Sequence, residues 1–169
     1  MKTLLLVRHA KSSWSDAGIS DMDRPLKSSG VKDAIAVSEK LKSLKISPDI
    51  IISSPAVRAV TTALIFARTL KYHYDRIMLN EIVYDFSKDA LLPLVHNIDD
   101  NYDVAMLVGH DPAFTYLLND LTGKDYEKMP TSSVAKISFG VKHWQKITPG
   151  KGRLSFLESP EKKKKDKEV

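Results

Sequence analysis

The chain has 169 residues, 43% of them hydrophobic and 28% charged, with a formal net charge of +5 and no cysteine. That size and balance describe one ordinary globular domain with a substantial core, and the missing thiols exclude disulfides, thiolate metal centres and cysteine nucleophiles. No apolar run approaches the roughly 20 residues that span a bilayer, so no membrane role is expected, and the lack of cysteine fits a cytoplasmic location.

The first segment, Met1 to Arg8, has the superficial look of a short secretion signal. Its apolar run is brief and ends in Arg8-His9 without a small-residue cleavage site, so residues 2 to 8 are expected to form a strand instead. Lys11 to Leu26 is polar and broken by Gly18 and Pro25, which predicts a loop. Ser28-Ser29-Gly30 then opens a helix to about Leu44, with Val31, Ala34, Ile35, Val37, Leu41 and Leu44 near helical spacing.

Asp49 to Ser53 is a short β-branched strand, and Ser54-Pro55 starts a second helix running to about Leu70. Ile77-Met78-Leu79 is a weak strand. Residues 88 to 98 form a third helix, 104 to 108 a strand and 111 to 122 a fourth helix. Ser133–Phe139 and Arg153–Glu158 are the last strands, expected to pair as a hairpin around Thr148-Pro149-Gly150. Alternating strands and helices predict an α/β fold with a mainly parallel sheet and an antiparallel end. One domain is expected over 1–158.

Residues 159–169 form a Lys-rich tail, expected to be disordered. From 160 onward it holds five lysines against Glu161, Asp166 and Glu168, which leaves +3 on the body. Lys162-Lys163-Lys164-Lys165 reads as a solvated charge run. No aromatic residues interleave with it, so no nucleic-acid partner is expected. A mildly basic body suits anionic ligands.

Three strand-to-helix junctions carry the chemistry. Arg8-His9 ends the first apolar run, Arg58 sits in the first turn after Ile50-Ile51-Ile52-Ser53, and His110 follows Val104 to Gly109. In a parallel sheet all three lie on the carboxyl edge, where open α/β folds bind ligands. Two arginines and two histidines around one point repel each other, and a dianion such as phosphate would fit between them. A neutral imidazole can attack phosphorus if its other N–H is held by an acceptor such as a carbonyl.

In these residues the sequence resembles the histidine phosphatase superfamily, the phosphoglycerate-mutase-like fold, and within it the small SixA-like branch of phosphohistidine phosphatases. The resemblance spans residues 2 to 158. It rests on Leu6-Val7-Arg8-His9-Ala10, on Asp23 to Gly30, on Ser53 to Ala59, on Val108-Gly109-His110-Asp111-Pro112 and on Thr131-Ser132-Ser133. It implies a three-layer sandwich with helices on both faces of the central sheet. It also implies that His9 is the nucleophile, that Arg8, Arg58 and His110 complete the phosphate pocket, and that neither metal nor cofactor is needed. Ala10 stands where the family usually has glycine, a departure the small branch tolerates.

Other groups carry less signal. A leaving alcohol needs a proton donor. Glu81 falls where larger members of the family place that acid, and Asp85 is the second choice. Arg24 either lines the rim or anchors the loop through Asp23. Lys11 and Ser132 are further substrate-contact candidates. Trp14 reads as a loop anchor more than a rim aromatic, and His73, His96 and His143 as surface or packing residues. Only 51 residues separate Arg58 from His110, too few for a strand, a helix and an enclosing lid, so hydrolysis is expected over mutase chemistry. The expected substrate is a phosphorylated protein or a small phosphoester. A non-catalytic phosphate-binding module is the alternative from another class, and retention of both histidines argues against it.

Overall fold

The computed structural model describes residues 1–85 and 87–161. In chain order the elements are β1 (Lys2–Arg8), α1 (Ser28–Ser43), β2 (Ile50–Ser53), α2 (Val57–Thr69), β3 (Met78–Leu79), α3 (Lys88–His96), β4 (Val104–Gly109), α4 (Ala113–Thr122), β5 (Val134–Phe139) and β6 (Arg153–Glu158). One six-stranded sheet takes the order β3-β2-β4-β1-β5-β6. Its first four strands by sequence are parallel, while β5 runs antiparallel to β1 and β6 to β5.

The continuous apolar strands are explained by burial on both faces. Leu4, Leu5, Leu6 and Val7 are fully buried. Along β1, Leu4 and Leu6 meet Leu91 and Val95 of α3 and Phe114, Leu117 and Leu118 of α4 in one core cluster. Leu5 and Val7 meet Ala34, Val37 and Leu41 of α1 and Ala63, Phe66 and Ala67 of α2 in the other. The period-2 alternation of the strands and the helical stripes therefore build a three-layer α/β sandwich. Among the described residues no helix is long and apolar enough to cross a membrane.

The crossovers place the site. The connection from β1 through α1 to β2 passes over β4 on one face, and that from β4 through α4 to β5 passes over β1 on the other. The carboxyl ends of β1 and β4 are thus a topological switch point, where a crevice opens. Gly30 holds the first loop close. A Cβ there would stand 2.4 Å from the Lys11 carbonyl oxygen, so only glycine lets α1 pack against the chain just after β1.

Several boundaries differ from expectation. α2 begins at Val57 because Ser54 is still tied to the sheet, its N–H donating to Val108 O and its Oγ accepting from Ala56 N. β5 and β6 do pair, but their connection is no tight hairpin. It carries a 3-10 turn at Trp144–Lys146, anchored by Trp144 Nε1 donating to Tyr102 O at 2.8 Å. The lysine run at 162–165 lies outside the described residues.

Candidate active site

The β1 and β4 ends sit side by side, with Arg8 opposite Gly109 in the register. His9 N–H donates to Gly109 O at 2.9 Å, which holds the His9 backbone against β4. Ala10 N–H donates to Thr62 Oγ1 at 3.0 Å, and Thr62 Oγ1 donates to Arg58 O at 2.7 Å. One hydroxyl on α2 thereby joins the backbones that carry His9 and Arg58. The two imidazoles end with ring centroids 5.1 Å apart.

An open cleft of about 480 Å³ surrounds them, lined by Arg8, His9, Arg58 and His110 together with Lys11, Trp14, Asp21, Arg24 and Asp111. His9 Nδ1 lies 2.7 Å from Ala10 O. A carbonyl only accepts, so Nδ1 carries the proton and Nε2 the lone pair. Burial pushes the His9 pKa down to about 4, the Ala10 hydrogen bond opposes this, and Arg58, Arg8 and Arg24 add to the fall. His110 is pushed down to about 3, chiefly by burial, then by the neighbouring His9 ring and by Arg58 and Arg24, with Asp21 opposing. Both rings are neutral at neutral pH.

His110 Nε2 lies 2.7 Å from Ser54 Oγ. Ser54 Oγ also accepts from Ala56 N–H, so one hydroxyl ties the His110 ring to the start of α2.

The arginines are held by one part of the fork and leave another part unmatched. Arg8 NH1 donates to Met129 O at 2.6 Å and stands 3.8 Å from Asp111 Oδ2. Arg58 NH1 and NH2 donate to Asp21 O and Oδ2 at 2.6 and 3.0 Å. Nε of each is buried without a protein acceptor among the described residues. Buried guanidinium N–H groups are costly unless an acceptor meets them, and an anion between the two strand ends would do so.

The model matching this chain over residues 4–85 is that of the histidine phosphatase superfamily (branch 1). The protein from Agrobacterium tumefaciens assigned the phosphohistidine phosphatase name SixA superposes with a TM-score of 0.81 at 25% identity, covering 94% of this chain and 98% of that one. The chain belongs to the histidine phosphatase superfamily. It is a phosphatase of the SixA-like kind by class.

Other relatives frame that membership. An uncharacterized protein of Mycobacterium tuberculosis is 29% identical over 91% of this chain and 99% of its own length. A 2,3-bisphosphoglycerate-dependent phosphoglycerate mutase of Chlamydia caviae is also 29% identical, but the chain spans only 66% of that enzyme's length. The fold is shared, at a TM-score of 0.76 and 21% identity over 94% of this chain and 97% of the other, with the protein histidine phosphatase SixA complexed with tungstate.

Set against the resemblance, this superfamily member brings Arg8, His9, Arg58 and His110 together, with Lys11 and Arg24 on the same cleft. Lys11 Nζ lies 3.6 Å from Asp33 Oδ2 and is more than half exposed. Arg24 lines the cleft, but its acidic partner is Asp21, not Asp23. Its Nε donates to Asp21 Oδ1 at 3.1 Å and its NH1 to Ser12 Oγ at 2.9 Å. Trp14 is an exposed rim residue that also covers Arg24, with the guanidinium carbon 3.4 Å from the ring centroid.

Two expected contacts do not reach the cleft. Glu81 lies on an exposed 3-10 turn and faces a separate depression with Met22, Ile82 and Asp85. β3 stops after two residues, and the 3-10 turn at Glu81–Val83 follows it directly. Ser132 is fully buried behind the site, where its N–H is shared by Arg8 O and His9 O. Thr131 takes the place on the wall. His96 and His143 bond Ile147 O and Asp100 far from the cleft. Sequence reasoning missed Asp21, Ser54, Tyr84 and a structural use for Asp111. Ser54 and Asp111 lay inside the quoted motifs. For Asp21, the one clue was a second carboxylate two residues before Asp23.

Proposed function

We propose that this chain is a metal-independent phosphatase that works through a phosphohistidine on His9, with phosphohistidine on a protein as its substrate class. The observation that carries the reading is the His9 ring itself. Its Nδ1 proton is fixed on Ala10 O, so the lone pair of Nε2 is presented between two arginines. Residues 1–158 are the catalytic unit, in a cytoplasmic setting.

In the first step Nε2 of His9 attacks phosphorus in line with the departing group. Arg8 and Arg58 hold the equatorial oxygens, and positioning and charge supply most of the rate. His110 adds a hydrogen-bond donor beside the same oxygens. Water then attacks the phosphorylated ring and phosphate leaves, two easier steps in place of one hard one.

A protein substrate is supported by the form of the cleft. It is open, with Trp14 exposed on its rim, and between α2 and β4 the chain carries only β3 and α3 as regular elements beyond single turns. Among the described residues no inserted segment encloses a small phosphoester or retains it for return transfer. The solved neighbours named as SixA phosphatases point the same way. The test is release of phosphate from a phosphohistidine-bearing protein and from p-nitrophenyl phosphate, with EDTA present, beside His9→Ala. A faster His9-dependent rate on the protein is expected. Turnover of p-nitrophenyl phosphate alone would move the substrate class to small phosphoesters, and phosphate binding without turnover would leave a binding module.

A further inference from the structure

We propose that Asp21 is the proton carrier of this site, protonating the departing group as His9 takes the phosphoryl group and then taking a proton from the water that releases phosphate. The inference rests on the phosphatase reading above and names the acid that reading lacks.

Two carboxylates line the cleft. Asp111 is committed elsewhere. Its side chain is 7% exposed, Oδ1 accepts from Thr115 N–H at 3.2 Å and Oγ1 at 2.6 Å, and Oδ2 faces Arg8. It braces Arg8 and the start of α4. Asp21 is on the open side, with its side chain 41% exposed. A departing group leaves toward solvent, so its protonation falls to a group on that side.

The surroundings of Asp21 fit a proton carrier that is switched by substrate. The carboxylate faces Arg58 of α2, Arg24 of its own loop and Tyr84 after the turn at 81–83, with His110 beyond. Oδ2 accepts from Arg58 NH2 at 3.0 Å and from Tyr84 OH at 2.8 Å, and Oδ1 from Arg24 Nε at 3.1 Å. In the free protein partial burial pushes Asp21 up, but the Tyr84 and Arg58 hydrogen bonds and the two arginine charges together outweigh it and hold Asp21 below the usual carboxylate range. A bound phosphoryl dianion competes for the Arg58 guanidinium and puts negative charge beside the carboxylate. Both effects raise its proton affinity, so substrate binding itself loads the acid.

The chemistry balances. Nε2 of neutral His9 forms the bond to phosphorus, the bond from phosphorus to the departing oxygen or nitrogen breaks, and that atom takes the proton of Asp21. In the second step Asp21 carboxylate removes a proton from water, the new oxygen bonds phosphorus, and the electron pair returns to Nε2. Asp21 ends protonated, as it began.

The experiment compares kcat of the full chain, Asp21→Asn, Asp21→Glu and His9→Ala on phenyl phosphate and on p-nitrophenyl phosphate. General acid catalysis contributes about 100-fold or more, but p-nitrophenolate departs readily without a proton. The Asn variant should lose about 100-fold on phenyl phosphate and under about tenfold on the nitro compound. The unaltered chain should show an alkaline fall of kcat with phenyl phosphate, and the Asn variant should lose it. Asp21→Glu should recover part of the phenyl phosphate rate, and it decides the question if the Asn variant does not fold, because its ratio of the two rates must then differ from that of the unaltered chain. Equal losses on both substrates would reduce Asp21 to a positioning residue for Arg58 and overturn the inference, as would no loss. Turnover that needs His9 but shows no such leaving-group dependence overturns the inference alone. Turnover of neither ester nor of a phosphohistidine-bearing protein, with no phosphorylated His9, overturns the phosphatase reading and the inference together.

Discussion

Replacing Arg58 by alanine separates catalysis from stability more cleanly than any other change at this site. The side chain is 3% exposed, yet its acidic partner Asp21 is 41% exposed. An ion pair with one solvated member contributes at most about 1 kcal/mol. The bond from Arg58 NH1 to Asp21 O adds about 1 kcal/mol, and removing a buried cation near Arg8 and Arg24 offsets part of both. Stability should therefore change by no more than about 2 kcal/mol. Catalysis should suffer far more. Arg58 lines the cleft beside His9 and His110, where its charge meets the charge that develops during transfer. Losing one donor to such charge costs on the order of 10² to 10³ in kcat, roughly 2.7 to 4 kcal/mol. Arg58→Lys should fall between, because it keeps the charge but loses the planar fork that bonds both Asp21 O and Asp21 Oδ2. The assay is steady-state hydrolysis of p-nitrophenyl phosphate beside urea unfolding of the same samples. A folded Arg58→Ala variant within threefold of the unaltered rate would refute the reasoning.

Three further outcomes follow from particular contacts. Gly30→Ala forces its methyl against the Lys11 backbone at 2.4 Å, so stability should fall by about 1 to 3 kcal/mol and kcat with it, read by urea titration and turnover. Ser54→Ala removes the hydroxyl that bonds and orients the His110 ring, and kcat should drop about five- to tenfold, the worth of one neutral hydrogen bond. Unfolded histidines bind protons near pH 6.5, whereas folded His9 and His110 do so only at about 4 and about 3. The unfolded state therefore binds more protons between pH 6.5 and 4, and stability should fall as pH drops through that window. The depressed Asp21 pKa adds loss at the acid end. Unfolding free energies that match at pH 7 and pH 5 would count against neutral, buried imidazoles.

The strands were legible because burial on both faces leaves unbroken apolar runs, and Leu4 to Val7 could hardly be anything else. Their order in the sequence places Arg8, His9, Arg58 and His110 on one sheet edge. The loop after His9 was not legible. Its polar residues have no period, and what sets Asp21 on Arg58 and Arg24 is tertiary pairing across three elements. The same holds for Glu81. Its spacing from a strand matched an acid position, but β3 ends after two residues and the turn carries the side chain to another depression. Ser132 reads in the sequence as a hydroxyl near His110, whereas its positive φ of 61° turns the backbone so that its N–H serves the Arg8 and His9 carbonyls.

The most direct test is to quench the protein during turnover of 32P-labelled substrate and locate the label. The account predicts an acid-labile, alkali-stable phosphoryl group on the peptide bearing His9, absent from His9→Ala and longer-lived in Asp21→Asn. Turnover with no label on His9, or label that survives His9→Ala, would contradict it.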